Sequence, residues 1–237
     1  MAEASSSNDP ARRARFGFAD QLAAASPRLL DAVLNAARIL LDKPAERSVA
    51  QQRRDNVQAL MARGGAWVER LNERLHDAAE MREKPTTISG ELLSSLQGNQ
   101  PLQLVDDASM QREISISRLA QSITDEAVWE YNDLATRVAA IENAPELREH
   151  DLFRPQQLAK IYVGAFEDAG LEAACWSGCE SALRHEIGLL ATEAYHDANA
   201  FLVARGVMPE VNLRQLIRRS VDTRSQMVAS QQMPLGD

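Results

Sequence analysis

Residues 114–141, ISISRLAQSITDEAVWEYNDLATRVAAI, decide the fold class. Their apolar positions Ile116, Ala120, Ile123, Ala127, Tyr131, Leu134, Val138 and Ile141 recur in steps of three and four, which lines them up on one face of an α-helix. A half-buried strand would instead alternate every second residue. Asp106 or Asp107 supplies an N-cap ahead of this run, and Pro145 closes it. The spacing predicts one continuous helix across the whole stretch.

The same period extends in both directions. Downstream, an acidic loop holds Glu146, Glu149 and Asp151; Pro155 then opens a helix through Leu158, Tyr162, Ala165 and Phe166, which Gly170 ends by taking a left-handed backbone. A long helix over about 172–205 carries Leu183, Ile187, Leu190, Ala194, Ala198, Phe201 and Leu202, and Gly206 stops it. Upstream, Phe16, Phe18 and Leu22 mark a short helix that ends before Ser26-Pro27. Ser26 there caps the next helix, whose stripe is Leu30, Val33, Leu34, Ala37, Leu40 and Leu41, with Pro44 as its stop. A further pattern over 45–84 runs through Val49, Val57, Leu60, Met61, Trp67, Val68, Leu71, Leu75 and Ala79. Gly64-Gly65 interrupts it, predicting a kink, a close helix–helix contact or a break.

The fold class that follows is all-α, an antiparallel bundle of long helices with a linker near 85–108. Residues 1–15 read as a disordered polar leader, 16–84 as an N-terminal helical hairpin region, 109–230 as a C-terminal helical bundle region and 231–237 as a tail. A short helix at about 89–97 falls within the linker. Composition agrees: 45% of the 237 residues are apolar, 25% charged and only 5% aromatic, an ordinary globular balance weighted toward helix formers. No stretch approaches the ~20 uncharged residues that a membrane span requires. A polar start in place of a secretory signal predicts a cytoplasmic protein.

Charge is unevenly spread. The whole chain is −8, but residues 31–209 hold 18 basic and 28 acidic groups while the two ends together hold 8 and 6. An acidic body disfavours nonspecific nucleic-acid binding, which phosphate contacts dominate. The basic excess gathers in a last amphipathic helix over 209–229, where Arg214, Arg218, Arg219 and Arg224 flank Val211, Leu213, Leu216, Ile217 and Val221. Arg214, Leu216, Ile217, Arg218, Arg219, Val221 and Arg224 are therefore the candidate partner-binding residues. Such a helix either packs onto this chain's own acidic body, its arginines forming surface pairs, or docks on an acidic protein partner, with anionic-surface or nucleic-acid attachment as the further alternative. A homo-oligomer is a separate partner reading of the whole chain. Arg12, Arg13 and Arg15 with Phe16 and Phe18 form a smaller basic-aromatic arm.

Two Glu-x-x-His patterns, Glu73 to His76 and Glu193 to His196, have the spacing that ferritin-like di-metal bundles use, with Glu126 or Glu130 and Glu167 as nominal further ligands. Helix geometry argues against that enzyme reading. His76 lies ~100° from the core residue Leu75, and His196 lies ~200° from both Ala194 and Ala198, so both rings point away from the core. Cys175 and Cys179 sit four apart on a helix face without a second ligand pair, and read as buried hydrophobes beside Trp176. No catalytic residue and no cofactor emerges. The expected function is a non-catalytic regulatory, adaptor or scaffold protein acting through protein–protein contact, with a helical-bundle metal enzyme as the alternative.

Three stretches carry a family resemblance: Leu104-Val105-Asp106-Asp107 opening the helix of Ile114, Ile116 and Leu119; Asp151-Leu152-Phe153-Arg154-Pro155; and Ala200-Phe201-Leu202-Val203-Ala204-Arg205-Gly206-Val207-Met208-Pro209. In order and spacing, residues 102–209 resemble part of the bacterial domain-of-unknown-function family 1631, whose members are usually several times longer. The middle stretch is similar to an Asn-Pro-Leu-Gly-Pro helix start, with Arg154 replacing the glycine. The last is similar to a helix ending in Gly-Val-Leu-Pro. Some members carry a thymidine phosphorylase label, but this sequence has neither a glycine-rich phosphate loop nor an alternating strand pattern. The resemblance implies a helical module and no catalytic residues.

Overall fold

The computed structural model describes residues 9–80 and 107–208, and these residues form six helices and no strand. The sequence features at 1–8, 81–106 and 209–237 lie outside the described residues: the first part of the leader, most of the linker with its short helix, the Asp106 cap, the basic helix and the tail. The helices are α1 (Pro10–Leu41), α2 (Arg47–Ala79), α3 (Asp107–Glu126), α4 (Val128–Glu142), α5 (Pro155–Asp168) and α6 (Ala173–Val203).

α1 corrects two expectations. Residues 10–15 are helical rather than part of a leader, because Asp9 Oδ1 accepts the Ala11 N–H at 3.0 Å, Pro10 fills the first helical position, and Ala11, Ala14 and Arg15 are buried. The helix also runs through Ser26-Pro27. Proline lacks the N–H that would bond the Ala23 carbonyl, and the Ser26 hydroxyl lies 2.8 Å from that oxygen, with the Asn72 side-chain amide 3.0 Å away on α2. The serine read as a cap instead supplies the donor that proline removes.

α2 passes Gly64-Gly65 unbroken, and the close contact is the outcome there. A Cβ on Gly64 would come 2.6 Å from Leu30 Cδ1 of α1, whereas one on Gly65 would meet nothing within 4 Å. The run over 114–141 is two helices. Ala127 leaves the helical region (φ −108°, ψ 19°), yet donates to Ile123 O at 3.0 Å and accepts from Tyr131 N at 2.9 Å, so the backbone stays paired through the break. The break lets α3 follow α5 and α6 while α4 turns onto α6 and α1. Asn143 (φ 51°) ends α4 two residues before Pro145. Pro155 opens α5, and Gly170 (φ 72°) and Gly206 (φ 77°) end α5 and α6 in left-handed turns, as the sequence indicates.

α1 runs antiparallel to α2 and to α6: Asp20 meets His76 and Leu30 meets Gly64 on one side, and Phe18 meets Tyr195 on the other. α3 runs beside α6 in the same direction, since Arg118 faces Glu180, Ser122 faces Arg184 and Glu126 faces Gly188. All six helices contribute to one core. Its aromatic side chains form two groups. Trp67, Phe166 and Trp176 stack edge to face with centroids 5.1 to 5.5 Å apart, and Phe18, Phe153, Tyr195 and Tyr131 gather at the other end of α6. Trp129, in the first turn of α4, is 75% exposed. No helix among the described residues is long and apolar enough to cross a membrane.

Candidate functional site

The buried positions of α1 stop at Ala37, and those of α2 begin at Asn56. The last turn of α1, the loop through Pro44 and the first turns of α2 therefore project past the core as a hairpin tip. Arg53 fastens it by donating from Nη1 to Leu40 O (2.7 Å) and Lys43 O (2.8 Å), a basic side chain closing the carbonyl end of α1. Between the helices, Leu41, Val57, Met61 and Ala62 floor an open groove of about 390 Å³, with Arg54 and Gln58 at its rim. Met61 is 63% exposed, and Ile39, Leu41 and Val49 are also exposed. Val49 and Met61 belong to the helical period expected to be core. Val49 faces solvent because the first turns of α2 extend past the core, whereas Met61, one residue after the buried Leu60, lies on the flank of α2 turned away from it.

The tip inverts the charge of the chain. Residues 38–63 hold Arg38, Lys43, Arg47, Arg53, Arg54 and Arg63 against Asp42, Glu46 and Asp55, a net of +3 within a chain of −8. Among the described residues, none of these six cations pairs with a carboxylate. Arg54 Nη2 donates to Gln51 Oε1 at 2.9 Å, and Arg63 to Gly170 O. Elsewhere Arg15, Arg70, Arg74, Arg112, Arg118, Arg137 and Arg154 each meet an acid. An apolar floor under unpaired cations suits a ligand that is apolar on one face and anionic on its flanks. Pooling residues 31–209 into one acidic total hides this feature, and a window the length of the hairpin tip reveals it.

The most buried charge lies at the opposite end of α1. Arg15, fully buried, donates to Asp151 through Nε (3.2 Å) and Nη2, and its Nη1 lies 2.8 Å from Glu142 Oε1. Burial alone would lower its pKa; the two carboxylates reverse this and hold it above the ordinary arginine value. Asp151, read in sequence as part of an acidic loop, is buried, and its Oδ1 also accepts the Phe153 N–H at 3.0 Å. Tyr195 donates to Phe153 O at 2.8 Å. Arg154, where the family pattern has glycine, has an ordinary backbone (φ −70°, ψ 128°), and its Nε donates to Arg148 O at 2.7 Å. This cluster clasps α1 to the turn before α5. Its groups are consumed in structure.

Glu73, His76, Glu193 and His196 all lie on exposed helix faces. They do not converge. His76 Nε2 is 3.0 Å from Asp20 and its Nδ1 2.8 Å from Asn72 O, Glu73 pairs with Arg70, and His196 Nδ1 is 3.0 Å from Glu130. The Asn72 carbonyl and Asp20 raise the His76 pKa, and Glu130 raises that of His196. Among the described residues no three potential metal ligands come together. Cys175 and Cys179 are free, buried thiols, as the sequence suggests, and the adjacent Cys179 sulfur together with burial pushes the Cys175 thiol up. Arg214, Leu216, Ile217, Arg218, Arg219, Val221 and Arg224 lie outside the described residues.

A family model described as protein of unknown function (DUF1631) N-terminal domain matches residues 7–206. The match extends beyond the 102–209 resemblance to take in α1 and α2, and with them the hairpin tip. No curated protein and no solved structure matches the chain.

Proposed function

We propose that this chain, which belongs to the DUF1631 family through that N-terminal domain, is a non-catalytic helical adaptor that works by protein–protein contact at the tip of its first hairpin. The observation that carries this reading is the open groove floored by Leu41, Val57 and Met61 and bordered by Arg54, in a hairpin tip whose cations form no ion pair among the described residues of an otherwise acidic chain. Contiguous exposed apolar surface rimmed by polar groups marks interaction sites. Leaving the cations unpaired costs the fold little, since an exposed ion pair contributes only about 0–1 kcal/mol. The reading includes a cytoplasmic setting, supported by two unpaired thiols of the kind reducing compartments preserve. It keeps the basic segment of Arg214, Arg218, Arg219 and Arg224 as a second contact.

Site-specific photo-crosslinking in the native cell tests the proposal. A photoreactive residue at Gln58 is expected to trap a discrete protein that the same probe at Glu193 does not, and Met61→Asp is expected to abolish the adduct. Equal trapping from both positions, or no loss with Met61→Asp, rejects the tip as the contact.

A further inference from the structure

We infer that the tip's partner presents an acidic amphipathic α-helix, laid along the seam between α1 and α2. The inference rests on the adaptor reading and adds the chemistry of what binds. The groove is walled by two antiparallel helices, with Leu41 on one and Val57 and Met61, four residues apart on one face, on the other. Side chains spaced three and four apart on a third helix fit between such ridges. The part of α2 that carries the tip, residues 47–62, is about 24 Å long at helical rise, and a partner helix of four to five turns covers it.

Charge fixes the partner's sign. Arg38, Arg47 and Arg54 are exposed at the tip and, among the described residues, form no ion pair, so glutamates or aspartates flanking the partner's apolar stripe gain pairs without breaking any. Arg54 is the best placed of the three, since it borders the groove itself. A bilayer is the poorer occupant. Asp42, Glu46 and Asp55 stand among the cations and would be pressed against anionic headgroups. Nucleic acid would leave the apolar floor uncovered.

The test uses the full chain and three labelled synthetic peptides, read by fluorescence anisotropy. One is a helix with leucines at i, i+4, i+7 and i+11 and glutamates on the flanks; the second replaces the glutamates with lysines; the third scrambles the first. The glutamate helix is expected to bind, the other two about tenfold or more weakly, and affinity is expected to fall with added salt. Arg54→Glu and Met61→Asp are each expected to weaken it about tenfold, and Trp129→Ala to leave it unchanged. Arg54→Glu is expected to regain affinity for the lysine helix. Unfolding midpoints of both tip variants check that the fold is intact. The inference is overturned if the lysine or scrambled peptide binds equally well, or if no peptide binds. It is also overturned if phosphatidylserine vesicles bind at the tip and the glutamate helix does not displace them. The adaptor reading is judged separately, by the crosslinking, so the two fail independently.

Discussion

The two ends of α1 treat arginine in opposite ways. At its start, Arg15 is sealed from water between Asp151 and Glu142, and at its finish Arg38 stands in water and, among the described residues, forms no ion pair. A buried cation must be matched or it destabilises the fold, whereas an exposed one is neutralised by solvent and left free for other uses. The difference separates arginines that hold the bundle together from those that face outward. Arginine content alone does not sort them.

The comparison can be broken hardest at the clasp. Asp151→Ala leaves Arg15 buried with half its partners gone and the Phe153 N–H uncapped, with an expected loss of about 3–5 kcal/mol in urea unfolding. A loss below about 1 kcal/mol would mean that the clasp is not what fastens α1. Between the two ends, the neighbouring glycines of α2 are expected to respond with opposite signs. Gly64→Ala pushes into Leu30 and should cost about 1–2 kcal/mol, while Gly65→Ala, in open space, should gain up to about 1 kcal/mol of helix propensity.

Exposed histidine pairs give a smaller effect with a defined pH sign. His76 and His196 have folded-state pKa values above 6.5, so their contribution is fully present below the unfolded value and is lost as pH rises through the folded one. Because both rings are exposed, the loss should be under about 1 kcal/mol and should vanish in the His76→Gln, His196→Gln double variant. At the tip itself, Arg54→Glu and Met61→Asp should move stability by no more than about 0.5 kcal/mol. A large drop there would show that the tip belongs to the core after all.

Much of the bundle was legible in periodicity and punctuation. Pro155, Gly170 and Gly206 bound α5 and α6 where local backbone chemistry requires it, and the core stripes of those helices are buried apart from the half-buried Leu190 and Phe201. The misses have tertiary causes. Ser26-Pro27 looks like a boundary because the hydroxyl's service to the Ala23 carbonyl is visible only once the turn is built. The break at Ala127 leaves the apolar period intact, since both halves face one core, so nothing in the spacing betrays it. Arg15 reads in sequence as one more residue of a basic-aromatic arm because its partners lie 127 and 136 residues away. The tip was obscured differently. Its apolar residues obey the core period, yet Val49 is uncovered where α2 outruns the core and Met61 by its place on the flank of α2 beside the buried Leu60.

The three tryptophans divide the chain optically. Trp67 and Trp176 lie in the core, their indole nitrogens buried without an acceptor among the described residues, whereas Trp129 is largely exposed. Two fluorophores therefore emit from an apolar matrix, toward the blue, and the third from solvent, toward the red. A small quencher such as acrylamide reaches the red component first. With Trp129 replaced by phenylalanine, the remaining emission reports on the core alone, from indoles carried by α2 and α6.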